Sequence, residues 1–184
     1  MKTVSKFLLL FIAVAAFSVI PAYAQNRSQG KQTAGRTTEQ QIFKKLITLP
    51  RYGVFDHITF QLNGSEVILG GSVYSLGTSR SAESVVKRIP GVTNVVNNIR
   101  DLPPSSFDNS IRREALRTFA DRGLYRYLNE FDPDVRIVVD GGRISLEGYV
   151  ANKGDFNLFN ILANGISGVF SVQNNLIVGK DSNR

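Results

Sequence analysis

Residues 63–73 read Asn63-Gly64-Ser65-Glu66-Val67-Ile68-Leu69-Gly70-Gly71-Ser72-Val73, and residues 140–150 read Asp140-Gly141-Gly142-Arg143-Ile144-Ser145-Leu146-Glu147-Gly148-Tyr149-Val150. The two stretches carry the same instruction. Each opens on Asn-Gly or Asp-Gly, the pairs that best supply the positive φ of a two-residue hairpin turn. Each then alternates apolar positions with period two, as a half-buried strand does. Upstream, Ile58, Phe60 and Leu62 alternate in the same way, matched by Val135, Ile137 and Val139. Two hairpins are therefore expected, one in each half of the chain.

The repetition is wider than the hairpin. A shift of 77 aligns residues 63–100 with 140–177 without a gap, and 11 of the 38 pairs are identical. Ordinary residue usage would give about two or three. After the hairpin, Ala82, Val85, Val86 and Ile89 recur at helical spacing, as do Phe159, Leu162, Ala163 and Ile166 in the second copy. Pro90-Gly91 and Ser167-Gly168 stop these helices, and residues 92–102 predict a third strand. Before the hairpins, Ile42, Phe43, Leu46 and Leu49 form one apolar helical face, and Ile111, Ala115, Leu116 and Phe119 another. Thr38 with Gln41 offers a capping box for the first of these helices.

Each copy thus reads α-β-β-α-β. This is an α+β fold, with a three-stranded sheet carrying two helices on one face. The expected organisation is a leader at 1–24, a disordered basic arm at 25–37, the first domain at 38–102, a linker at 103–106, the second domain at 107–180 and a tail at 181–184. Pro103 and Pro104 forbid a continuous helix through the joint.

The hairpin glycine, the V-x-L-x-G-x-V strand, the helix and the closing I-P-G-V-x-x-V-x-N-x-I run resemble the BON domain, a family named for bacterial osmotically inducible and nodulation proteins. The first copy matches through Val67, Leu69, Gly71, Val73, Ile89, Pro90, Gly91, Val92, Val95, Asn97 and Ile99. The second matches through Ile144, Leu146, Gly148, Val150, Ile166, Gly168, Val169, Val172, Asn174 and Leu176, with Ser167 in place of the proline. The resemblance implies a non-enzymatic protein of the bacterial envelope. Its expected partners are membrane phospholipid or envelope proteins, and its expected role is envelope integrity under osmotic or other stress. It also implies that the second helix of the second domain contacts anionic lipid. A periplasmic chaperone or an adaptor in an envelope complex is the alternative that the family allows.

The amino terminus agrees with export. Lys2 and Lys6 precede an apolar run, Phe7–Ile20, and Ala22-Tyr23-Ala24 ends it, as in a secretory signal peptide cleaved after Ala24. No cysteine follows, so a lipid-anchored form is not expected, and the location expected is the periplasm. The chain carries 22 Lys and Arg against 15 Asp and Glu, a formal net charge of +7. Arg27, Lys31 and Arg36 stand in the arm without an acid, which favours loose attraction to anionic surfaces. Export argues against nucleic acid as the partner.

The inventory excludes most catalysis. With no cysteine and His57 as the one histidine, thiol chemistry, a disulfide scaffold and a multi-histidine metal site are closed. Asp132, Asp134 and Asp140 lack the spacing of a calcium loop. No cofactor, metal or catalytic residue is expected. His57 reads as an exposed residue at a strand entry. Arg112, Arg113, Arg117, Arg122 and Arg126, with acids between them, read as a solvated helix face.

Three sets of positions remain. Phe156, Leu158 and Ile161 stand where the first copy has Ser79, Ser81 and Ser84. Ile161 lies nearly opposite the core face of its helix, with Phe156 and Leu158 on the flanks. This is the candidate lipid- or partner-binding surface, open to a membrane, the sister domain or another chain. Asn97 and Asn174 alternate onto the core face and are expected as hydrogen-bonded structural residues. Gly71 and Gly148 are expected to face inward and let a helix approach the sheet, and Gly91 and Gly168 to close the second helices.

Overall fold

The computed structural model describes residues 37–129 and 132–179. The expected leader, its cleavage site, nearly all of the basic arm and the tail lie outside the described residues.

The first copy runs α1 (Thr38–Ile47), β1 (His57–Asn63), β2 (Glu66–Val73), α2 (Thr78–Val86), β3 (Asn94–Asn97) and β4 (Arg100–Asp101). Thr37, one residue before the expected cap, closes α1. Its hydroxyl accepts from Gln40 N–H, and Gln40 returns the bond to Thr37 N–H. β1 and β2 form the hairpin, in register Ile58 with Gly71 and Leu62 with Val67. The chain then crosses through α2 and lays β3 and β4 parallel to β2. The expected third strand is therefore present in two pieces, interrupted at Asn98-Ile99.

The second copy repeats the order. α3 (Ser106–Phe119) starts inside the expected linker, capped by the Ser105 hydroxyl. It passes into a wider turn at residues 120–124 and a tight turn at 125–127. Then follow β5 (Val135–Asp140), β6 (Arg143–Val150), α4 (Lys153–Asn164) and β7 (Ser171–Val178). β5 and β6 are antiparallel, while β7 runs unbroken and parallel to β6. Each copy has its own core. Ile42, Leu46, Val67, Leu69, Ala82 and Val86 anchor the first; Ile111, Ala115, Phe119, Ile137, Leu146 and Phe159 anchor the second. Each fully buried Val, Leu, Ile or Phe among them contributes about 1.5–3 kcal/mol through the area it removes from water.

The copies interlock more deeply than the short linker alone requires. Val54 and Phe55, from the loop after α1, pack against the second core. Val54 also lends its carbonyl to Ile137 N–H at 2.7 Å, which covers part of the β5 edge. β5 is accordingly buried on both faces, whereas β1 alternates between buried and exposed. The sequence carries this difference: Arg136 and Val138 stand where β1 has Thr59 and Gln61.

Two arginines make the joint. Arg136 donates to Gly53 O at 2.9 Å and Asp56 O at 3.3 Å, and its guanidinium lies 4.1 Å from the Tyr52 ring centroid. Arg112, expected on a solvated face, is buried. It donates to Val139 O and Asn109 Oδ1 and stacks 4.3 Å from the Tyr74 ring centroid. An ion pair between Arg100 and Asp140 at 2.7 Å closes the exposed rim.

The glycines of the second strands act differently from expectation. Gly71 is exposed rather than turned toward the helices. A Cβ there would sit 2.1 Å from His57 O, and one on Gly148 would sit 2.0 Å from Asp134 O. The close approach is strand to strand, not helix to sheet. Both residues also hold positive φ, +98° and +114°, where a side chain is strained regardless of space.

Candidate functional site

α4 begins at Asn152, whose side chain accepts from Asp155 N–H at 2.9 Å. Asp155 in turn receives the Tyr127 hydroxyl at 2.6 Å and Arg126 at 2.7 Å. Burial works against its charge, yet these donors outweigh it and hold the carboxyl below the usual carboxylate range. Through Arg126 and Tyr127 the turn after α3 thus locks the start of α4. Deeper in, Phe159 meets Phe119 edge to face at 4.9 Å and Tyr127 at 5.8 Å. These contacts fix the helix and decide which of its sides faces out.

The three candidate residues on this helix are not equally exposed. Ile161 is 67% exposed. Phe156 and Leu158 are partly buried and pack against the second core. Phe156 takes the inward place of Ser79, which is itself buried in the first copy. Lys153, the sole cation in the α4 sequence, lies over the Phe156 ring at 3.8 Å. The outward apolar surface of α4 therefore centres on Ile161, with Phe156 and Leu158 supporting it from the sides.

A second exposed apolar feature went unread in the sequence. Phe107 and Phe170 are 45% and 76% exposed, with their ring centroids 6.0 Å apart. Gly142 and Gly168 make room for them: a Cβ on Gly142 would meet Phe170 at 2.6 Å, and one on Gly168 would meet Phe107 at 3.1 Å. In the first copy Thr38 stands beside Gly91, and Thr93, the counterpart of Phe170, bonds the Ser65 hydroxyl at 2.7 Å. The signal available was this exchange of two threonines for two phenylalanines.

The asparagines tie third strand to second helix. Asn97 donates to Ser79 O, Ser79 Oγ and Glu83 Oε2, and its carbonyl accepts from Ile99 N–H. Asn174 donates to Phe156 O at 3.1 Å and accepts from Leu176 N–H at 3.2 Å.

His57 is not an exposed entry residue. It lines a cleft of about 290 Å³ between the copies, with Tyr52, Phe60, Asp132, Arg136 and Tyr149. Burial, and then the Arg136 guanidinium, push its pKa from 6.5 down to about 4. Burial also raises the Tyr52 hydroxyl, against the pull of Arg136. That hydroxyl accepts from Ile58 N–H at 3.0 Å, so the residue is structural. Among the described residues no three metal-ligating side chains cluster together, and no helix is long and apolar enough to cross a membrane.

The BON domain family model matches residues 37–100 and 108–180. No curated protein matches the chain. Two solved structures of CdsD, a structural protein of the type III secretion system of Chlamydia trachomatis, are similar at 12% identity. One, of its C-terminal domain, has a TM-score of 0.32 and covers 76% of this chain and 96% of that one. The other has a TM-score of 0.33, with 78% and 93% covered. Likeness at this level supplies no functional argument.

Proposed function

We propose a function from one premise: this chain belongs to the BON-domain family, with two domains in tandem. It is a non-enzymatic protein of the bacterial envelope that binds phospholipid and supports envelope integrity under stress. The observation that carries this reading is Ile161, 67% exposed on a helix whose sister has Ser84 at the same place. An apolar side chain held outward on a rigid helix suits insertion at a lipid interface. The basic arm before α1 adds attraction to an anionic surface.

A protein partner is the second reading. It is favoured by Lys153, the one cation of α4, which lies over Phe156 instead of extending beside Ile161. A chaperone or adaptor would use the same outward face without needing basic neighbours.

Vesicle co-sedimentation separates the two. Wild-type protein should bind vesicles containing anionic lipid, and Ile161→Ser should weaken binding about tenfold or more, from the 1.5–3 kcal/mol that a fully buried Ile side chain supplies. Binding that is unchanged in Ile161→Ser removes α4 as the lipid contact. No binding by the wild type leaves the protein-partner reading in its place.

A further inference from the structure

The second copy leaves one edge of its sheet open. β7 pairs with β6 on one side, and among the described residues no strand lies on the other. A strand that ends a sheet presents unanswered N–H and C=O groups, and natural proteins blunt such edges with charge, proline or a break. The first copy does so. Its third strand is split into β3 and β4, and Arg100 and Asp101 charge the end of it. At the positions 77 further on, β7 runs through eight residues without a charge or a proline and ends on Ile177 and Val178.

Exposed apolar side chains collect at both ends of this edge. Phe170 stands just before β7, and Ile177 and Val178 are 54% and 46% exposed at its far end. Their counterparts in the first copy are Thr93, Arg100 and Asp101. Between the ends lie the polar, uncharged Gln173, Asn174 and Asn175. Gly179 N–H donates to Val150 O on β6 at 2.9 Å. Backbone groups alternate sides along a strand, so Val172, Asn174, Leu176 and Val178 direct theirs to the open side. Leu176 N–H agrees with this: its acceptor is Asn174 Oδ1 at 3.2 Å, within its own strand, and not a carbonyl of β6.

We propose that this edge pairs with the same edge of a second copy of the chain, β7 against β7, antiparallel about a two-fold axis at Asn174. The arrangement of the ends is what selects a second copy. Antiparallel pairing brings unlike ends together, which sets Phe170 of each copy beside the partner's Val178 and Val172 opposite the partner's Leu176. Each exposed apolar end then covers the other, twice, as an isologous two-fold contact requires. The neutral middle places no charge against its own image. Leu176 N–H exchanges the Asn174 side chain for a backbone carbonyl. Two three-stranded sheets become one continuous sheet, by the strand addition through which sheets also take up extended peptides. The contact does not depend on Ile161.

Sedimentation velocity on the full chain, over a series from about 1 μM to about 1 mM, tests the pairing. The wild type should shift from monomer to dimer as concentration rises. Ile177→Arg with Val178→Asp, which installs the residues of the first copy, should raise the dimer dissociation constant about tenfold or more, because each change enters twice and removes apolar burial. Gln173→Lys should also weaken the dimer, since the two lysines stand diagonally across the new pair of strands. Mixing Gln173→Lys with Gln173→Glu should restore a dimer between the unlike chains, a rescue that a folding defect cannot produce. Ile161→Ser should dimerise as the wild type does. A wild type that stays monomeric throughout the series overturns the inference and leaves the edge to a strand of another protein. A dimer unchanged by both β7 variants overturns it as well, and one lost only in Ile161→Ser moves the interface to α4.

Discussion

Gly148→Ala adds one methyl group where the second strand of the second copy passes the first. The new Cβ would sit 2.0 Å from Asp134 O, whereas ordinary contact begins at 3.4 Å. The obstacle is backbone, so no side chain can swing aside. Asp134 O also accepts Tyr149 N–H at 2.9 Å, and moving it away by more than about 1 Å sacrifices that bond, worth roughly 1–3 kcal/mol when a partner is left unsatisfied. An alanine held at φ +114° adds about 1–3 kcal/mol of backbone strain. The total is about 2–6 kcal/mol, a large part of the roughly 5–15 kcal/mol that holds a typical domain together. Urea unfolding of the full chain by circular dichroism should show a midpoint about 2 M lower, for a slope of about 2 kcal/mol/M. The alternative, a glycine that only lets a helix come close, predicts that alanine is tolerated and valine is not. A loss under about 1 kcal/mol for Gly148→Ala would refute the strand-to-strand account.

Other changes probe the joint and the exposed helix. Arg136→Met removes two donated bonds and the stack on Tyr52, leaving the Gly53 and Asp56 carbonyls without that donor; a loss of about 2–4 kcal/mol and a larger radius of gyration by X-ray scattering are expected. Phe156→Ser should cost about 1–2 kcal/mol in the same urea assay, because its ring is partly buried, whereas Ile161→Ser should stay within about 0.5 kcal/mol. His57 titrates near 4 when folded against 6.5 when unfolded, so the unfolded chain binds more protons between these values. Its contribution is complete above pH 6.5 and is lost as pH falls toward 4, by up to about 3 kcal/mol; His57→Gln should flatten that part of the stability-versus-pH curve, and a curve unchanged by the substitution would contradict the buried, neutral imidazole.

The repeat and the alternation of Val67, Leu69 and Val73 made the fold of each copy legible, because a two-residue period and a glycine turn are local signals. The split third strand was not legible, since Asn97-Asn98 in the first copy is identical to Asn174-Asn175 in the second, where β7 continues. Arg112 was misread for a related reason. Charged residues alternate around α3, and what buries one of them is Tyr74, distant in the sequence. The α4 surface departs from its sister helix in sequence, but the wheel could not grade the exposure of its residues. Phe156 and Leu158 lie near the boundary where the neighbouring turn after α3 decides exposure. The exchange of Thr59 and Gln61 for Arg136 and Val138 stands in the sequence, but it went unread, and only the structure shows that β5 is buried on both faces.

Val54 and Phe55 give the chain a direction. The first copy completes its core from its own residues, but the second needs a loop that is synthesised some 80 residues before its own strands. Because domains fold as units from the amino terminus during synthesis, the earlier copy presents that loop before β5 exists to receive it. A circular permutant that begins at α3 would reverse this order. Its leading copy would have to wait with part of the β5 edge uncovered, which exposes it to strand pairing with other chains.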